Sequence, residues 1–439
     1  MHLEPAALVA ISIFAITYIG IASEKVDKTA AALLGAALAV SIGVVPYEAA
    51  LHAVDLNVVL LLVGMMLAVN VLAGTGVFEW VAVKIARKAG GRGLPILLLF
   101  LLATAVMSAL LDNVTTVILI APITILLCEI LAMPATPFLI LVALASNIGG
   151  TATLVGDPPN VLIASETGLG FNESIWNLGP VVALLMFAGG LTVGLSFRRS
   201  FQVPERLRER VLRARPEKAI LEPDRLRRGL VVFGLMLIGF FVSHALHLEP
   251  GIIAISGGLL MAVVCGIDLH HALEKVEWNS VFFFVGLFML IGALEHHHVF
   301  EELGRVMLRV TDGNFAMTVL VVMWFAALAS AIVDNIPLVI AMLPLLQTIV
   351  PVFGQQMGIS DDPVLLRAQI EEPLYWSLAL GACLGGNGSL VGASANVVIA
   401  QIGARNKHPI GFVGFSKYGF PTMLATLGIA TAYVWVRYL

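Results

Sequence analysis

The chain has 439 residues, of which 59% are apolar and 12% charged, and its mean hydropathy is +0.97. Soluble domains carry roughly 25% charged residues, so an ordinary water-exposed surface is excluded. With 25 basic and 29 acidic residues the net charge is −4, which excludes a basic face for nucleic acid.

A bilayer core of about 30 Å needs ~20 apolar residues per helix. In chain order, the apolar segments of the first half are 5–22, 29–46, 56–74, 94–111, 114–133, 137–148 continuing past 160, and 178–197. The second half has 230–247, 250–267, 279–294, 315–333, 336–353, 374–384 continuing past 396, and 419–436. None alternates as a lipid-facing barrel strand does. Residues 6–22 lack a basic n-region and a small-residue cleavage site, and read as a retained first span. Cys128, Cys265 and Cys383 lie far apart and give no disulfide or zinc pattern. No cofactor is expected, and the absence of a G-x-x-x-x-G-K-[ST] loop means that any ATPase is a separate cytoplasmic partner.

Basic residues set the orientation. Residues 198–229 hold 11 Lys/Arg against five acids and are placed in the cytoplasm. Threading outward from there also puts Lys25, Lys28, Lys84, Arg87, Lys88, Arg92, Lys275, Arg405, Lys407 and Lys417 inside, with the N-terminus outside. Only Arg305, Arg309, Arg367 and Arg437 remain outside, so 21 of 25 basic residues are cytoplasmic. This threading needs an odd number of crossings per half, which makes the halves inverted.

The sequence repeats itself at an offset of 222: residues 56–87 align without a gap to 278–309. Asn57/Asn279, Gly64/Gly286, Phe78/Phe300, Glu79/Glu301 and Arg87/Arg309 are identical. The run 110–126 meets 332–348 at the same offset, matching Asp112 to Asp334, Asn113 to Asn335 and Pro122 to Pro344. After 14 inserted residues the offset becomes 236, and GGTATLVGDPPNVLIA (149–164) meets GGNGSLVGASANVVIA (385–400). Inverted halves with interrupted hydrophobic segments at matching places are a signature of secondary transporters. The expected fold is all-α and polytopic, with about 10 spans, two helical hairpins and two broken helices. Residues 1–197 form the first repeat, 198–229 the linker and 230–439 the second repeat.

Irregular backbone survives at membrane depth only where protein or a wet cavity satisfies it. The Gly-rich runs 149–160 and 385–396 are therefore expected to face a cavity, with Asp112-Asn113 and Asp334-Asn335 at the tips of hairpins entering from opposite sides. Helix ends at such breaks present unpaired N–H and C=O groups to a small polar solute. Thr115, Thr116, Thr151, Thr153, Asn387, Ser389 and Ser394 add neutral donors and acceptors. Asp112, Asp157 and Asp334 are the acids at membrane depth, where such residues usually carry protons or cations. The alternative role is helix capping, which Asp157 before Pro158-Pro159 suits well. Asp157 has no acidic twin, since Ala393 holds its repeat position.

The runs LLDNVTTVILIAPITILLCEIL and SNIGGTATLVGDPPNVLIAS resemble the ion transporter superfamily, and in particular the ArsB-type arsenite/antimonite efflux permeases and the P-protein permeases. Gly76 followed by Phe78-Glu79-Trp80 resembles the Gly-Phe-Phe-Glu-Trp stretch of arsenical pump membrane proteins, with Val77 in place of one Phe. The resemblance implies a scaffold, in 5–74 and 230–294, and a mobile transport region, in 94–197 and 315–436. Its site candidates in the first half are Asp112, Asn113, Thr115, Thr116, Asn147, Gly149, Gly150, Thr151, Gly156, Asp157 and Asn160. Those in the second are Asp334, Asn335, Gly385, Gly386, Asn387, Ser389, Gly392, Ser394 and Asn396. Sodium-coupled carboxylate carriers of the superfamily use paired Ser-Asn-Thr motifs; here Asn147 is followed by Ile148-Gly149-Gly150-Thr151, and the second half has no such triplet.

With no Lys or Arg expected near a break, the pocket suits a neutral trihydroxide better than a dicarboxylate. The expected function is export of arsenite or antimonite by proton antiport across the inner membrane. A sodium/proton antiporter is the alternative, with an organic-anion carrier or passive metalloid channel behind it, and a homodimer is open. Cys383 alone lies beside a break and reads as a small buried hydrophobe. Glu295-His296-His297-His298 reads as a solvated rim rather than a metal site, since only Glu295 and His298 share a helical face. The basic, amphipathic stretches 77–90 and 299–311 read as helices lying along the membrane surface.

Overall fold

The computed structural model describes residues 4–22, 26–197 and 203–439, with the side chains of Ala22, Arg210 and His244 left out. Lys25 and the first five residues of the Arg-rich linker lie outside the described residues. Everything regular among the described residues is helical. Among the described residues eight helices are long and apolar enough to cross a bilayer, and four shorter apolar helices accompany them.

Short polar residues start many of these helices. Asp27 accepts from Ala30 N ahead of Lys28–Ser41, Asp55 from Asn57 N and Val58 N ahead of Leu56–Ala73, and Asp268 from His271 N. The two hairpins are Gly93–Leu110 with Asn113–Ile130, and Phe315–Ser330 with Asn335–Met357. The broken helices are Ala135–Gly150 with Pro158–Thr167, and Glu372–Gly385 with Ser394–Arg405. Val77–Lys88 and Val299–Val310 are separate amphipathic helices, and the second turns by 116° into Phe315–Ser330.

Some boundaries depart from the pattern reading. The helix expected over 178–197 begins at Phe171, and Pro180 is accommodated inside Phe171–Ser196. The span expected from 230 begins at Pro223, so the linker shrinks to a helix Glu205–Leu212 and a turn Pro216–Ala219. The segment 29–46 ends at Ser41, followed by a short helix Tyr47–His52.

Matched close approaches carry the repeat into three dimensions. A Cβ on Gly64 would lie 2.2 Å from the Ala254 backbone, and one on Gly286 2.8 Å from the Ala32 backbone. Gly64 and Gly286, like Ala32 and Ala254, are separated by 222 positions, so each half packs a helix against the other reciprocally. Within the halves, Gly149 meets Ala105 as Gly385 meets Ala327. Ser108 Oγ donates to Ser146 O at 2.7 Å, and its twin Ser330 Oγ to Ala382 O at 2.8 Å. These contacts fasten each hairpin to its own broken helix.

Candidate functional site

Each break is spanned by an asparagine. Asn160 Nδ2 donates to the carbonyls of Thr151 (3.1 Å) and Thr153 (2.9 Å), and Asn396 Nδ2 to those of Gly386 (2.8 Å) and Ser389 (2.9 Å). Both side chains are fully buried. The unwound carbonyls would otherwise be orphans in an apolar interior, at a cost of about 1–3 kcal/mol each.

The clamps also face across to the opposite half. Asn147 Nδ2 donates to Asn396 Oδ1 (2.9 Å) and Asn387 Oδ1 (3.0 Å), while its own Oδ1 accepts from Asn113 (3.4 Å). The repeat twin of Asn147 is Cys383, whose Sγ lies 3.7 Å from Asn160 Oδ1. Cys383 is thus buried beside the first break, in a polar contact that its reading as a simple hydrophobe missed.

The three acids sit in different surroundings. Asp112 accepts from Thr115 N (2.8 Å) and from the Thr115 hydroxyl, so both act locally as a cap. Asp157 occupies the cap position before Pro158 yet its side chain makes no capping bond: Pro159 has no N–H, and the Asn160 N–H goes to the Asp157 backbone carbonyl at 2.9 Å. Fully buried, it accepts instead from Asn335 Nδ2 of the second hairpin at 3.3 and 3.4 Å. Capping as the role of Asp157 is thereby corrected. Asp334 accepts from Ile336 N (3.3 Å) and Ser394 Oγ (2.5 Å).

One expectation is overturned. A lysine does stand at a break: Lys28 Nζ is 3.0 Å from Ser394 Oγ and 3.8 Å from Asp334. Nearby, burial pushes the carboxyl of Glu277, in the loop ahead of Trp278–His296, above its ordinary value, and the charge of Asp112 adds to this.

Neutral donors remain unused at the centre. Asn387 Nδ2, Ser389 Oγ and Thr116 Oγ1 are buried with no partner among the described residues. Other candidates are committed to structure. Thr151 Oγ1 donates to Asn147 O and Thr153 Oγ1 to Ala109 O. Gly149, Gly150, Gly156, Gly385, Gly386 and Gly392 are buried against neighbouring backbone.

Asn57, marked in the sequence only as a repeat identity and not as a site residue, joins Gly251 N (2.6 Å) to Ser165 Oγ (3.1 Å) beside a cavity of about 290 Å³. No group of three His, Cys, Asp or Glu that could hold a metal ion occurs among the described residues. His297 Nε2 instead lies 2.7 Å from Val44 O, and His298 Nδ1 2.7 Å from Glu301.

Apolar spans enclosing two breaks and two hairpin tips that meet in a buried polar centre define a multi-pass membrane transporter. The chain belongs to the CitMHS family, described as citrate transporter, whose family model matches residues 18–370. It is 39% identical over 438 residues to the 46 kDa membrane protein of Mycobacterium leprae, covering 99% of each chain. It is 39% identical over 436 residues to the uncharacterized transporter Rv2684 of Mycobacterium tuberculosis, covering 98% of this chain and 99% of that one. The P protein of Mus musculus is 33% identical over 512 residues, a match covering 98% of this chain and 60% of that one.

Proposed function

We propose that this transporter exports arsenite and antimonite, as neutral trihydroxides, in exchange for protons. The observation that carries the reading is the charge balance of the centre. Among the described residues its one lysine is already paired with Asp334, so amides and hydroxyls are what remain for a solute. An uncharged solute gains nothing from the membrane potential, so uphill export requires coupling. One inward proton supplies about 2.3 kcal/mol per 100 mV. Asp112, Asp157 and Asp334 are the proposed proton carriers. Residues 5–74 and 230–294 would serve as scaffold, with 94–197 and 315–436 as the region that moves between faces. The 198–229 linker would lie in the cytoplasm, where an ATPase could dock.

A second reading, favoured by Lys28 and by the family's description, is a carrier of small carboxylates. Asp334 would then release Lys28 to the cargo on protonation. Proteoliposomes containing the purified protein separate the two. Proton-dependent arsenite flux that citrate does not inhibit, and that Asp112→Asn with Asp334→Asn abolishes, supports the first. Arsenite flux with unchanged proton dependence in that double variant rejects it.

A further inference from the structure

Asp112 and Asp334 hold matching places in the two halves, yet among the described residues only Asp334 is tied to side chains of other segments. Asp112 accepts from its own helix and the Thr115 side chain on it. Asp334 is met by Ser394 Oγ at 2.5 Å and Lys28 Nζ at 3.8 Å. Lys28 Nζ also donates to Ser394 Oγ at 3.0 Å and lies 5.0 Å from the ring centroid of Phe283. These groups come from separate places: the start of Lys28–Ser41, the tip of the second hairpin and the helix after the second break. The repeat provides no counterpart, because Pro250 stands at the twin position of Lys28 and Pro158 at that of Ser394.

A lysine in a first helical turn opposes the helix dipole. Fixing its long side chain also costs conformational entropy. Its side chain is 38% exposed, and its ammonium still aims at a carboxylate whose side chain is only 12% exposed. That carboxylate already has the N-terminus of Asn335–Met357 and the Ser394 hydroxyl as donors. Lys28 is not needed to satisfy Asp334; it adds a tie to a distant part of the chain.

We infer that Lys28, Ser394 and Asp334 form a charge latch that keeps the second hairpin tip and the second break docked on the Lys28–Ser41 helix, and that neutralising Asp334 releases it. Lys28 is thus a positioning residue. The inference rests on the moving transport region proposed above and assumes nothing about the cargo. The latched arrangement coexists with the cavity of about 290 Å³ that Asn57, Phe240 and Pro250 line opposite Ala164, Ser165 and Phe171. Release of the latch moves Ala164 relative to the opposite wall, which gives a reporter.

The test labels Ala164→Cys with a small thiol reagent in purified full-length protein in lipid nanodiscs. The three native cysteines are buried, and protein without the reporter sets the background. Lys28→Gln and Asp334→Asn are each expected to slow labelling about two- to fivefold, the range a partly exposed ion pair supports. Lys28→Arg keeps the original rate, and the Lys28→Gln/Asp334→Asn double variant is no slower than the slower single. Ser394→Ala, which removes the bridging hydroxyl, also slows labelling and serves if Lys28→Gln does not fold. Unchanged labelling in these variants, or single effects that multiply in full, overturns the latch. Because the assay reads accessibility and not flux, its failure is distinguishable from failure of the arsenite reading.

Discussion

Gly149→Ala tests the fastening of hairpin to broken helix. A Cβ at Gly149 would lie 2.3 Å from both Cα and O of Ala105. Carbon contacts become favourable only near 3.5 Å, so the Ala105 helix must retreat by about 1 Å. The obstacle is backbone, which cannot swing aside as a side chain does. Overpacking of this kind costs about 1–3 kcal/mol, against about 1 kcal/mol regained from alanine's helix preference. The net expectation is a loss of up to about 2 kcal/mol, with the first break displaced. Gly189 and Gly190, inside Phe171–Ser196, have nothing within 4 Å of the added atom. Alanine there is expected to stabilise by up to about 1 kcal/mol, so the same substitution changes sign with position. Thermal unfolding of purified protein followed by size-exclusion fluorescence gives the order. Gly149→Ala and its twin Gly385→Ala should fall below the parent, and Gly189→Ala at or above it. Gly149→Ala matching Gly189→Ala in stability would refute the reasoning.

Further substitutions probe the breaks. Asn160→Ala strands the carbonyls of Thr151 and Thr153, at about 1–3 kcal/mol each; unfolding temperature and flux should both drop, as they should for Asn396→Ala. The exposed Asn406→Ala, which loses only a bond to Ile402 O, should change neither. Asp157→Asn keeps side-chain volume and a carbonyl acceptor for Asn335, so the protein is expected to fold normally while proton-driven flux disappears. Cys383→Ser retains a donor towards Asn160 Oδ1 and should leave arsenite flux within about twofold; a much larger loss would point to sulfur as a cargo ligand.

Much of this arrangement is legible in the residues because membrane helices advertise themselves. Long apolar runs reveal the spans, and the paired Gly-rich interruptions reveal the breaks, since unwound backbone in such runs needs a local partner. The repeat at 222 and 236 positions ties Asn160 to Asn396 from sequence alone. Contacts between distant residues leave no such trace. Asp157 and Asn335 each stand out in the sequence, but nothing in it couples residues 178 positions apart. Lys28 looks like an orientation signal, and only the fold turns its ammonium towards Ser394 and Asp334. Asn57 was visible as a repeat identity, while its bonds to Gly251 and Ser165 depend on helices brought together by folding. Helix ends failed for a different reason. Polar Asn172, Glu173 and Asn177 resemble a loop, yet Asn177 is held by Arg437, Tyr438 and the Glu173 carbonyl, which allows the helix to begin at Phe171.

The most direct measurement of the central claim is arsenite accumulation in everted membrane vesicles, with pH gradient, membrane potential and sodium varied one at a time. Uptake driven by an acidic interior, indifferent to sodium, and lost together with the gradient and in Asp334→Asn is expected. Accumulation that persists after the proton gradient collapses, or that follows sodium instead, would contradict it.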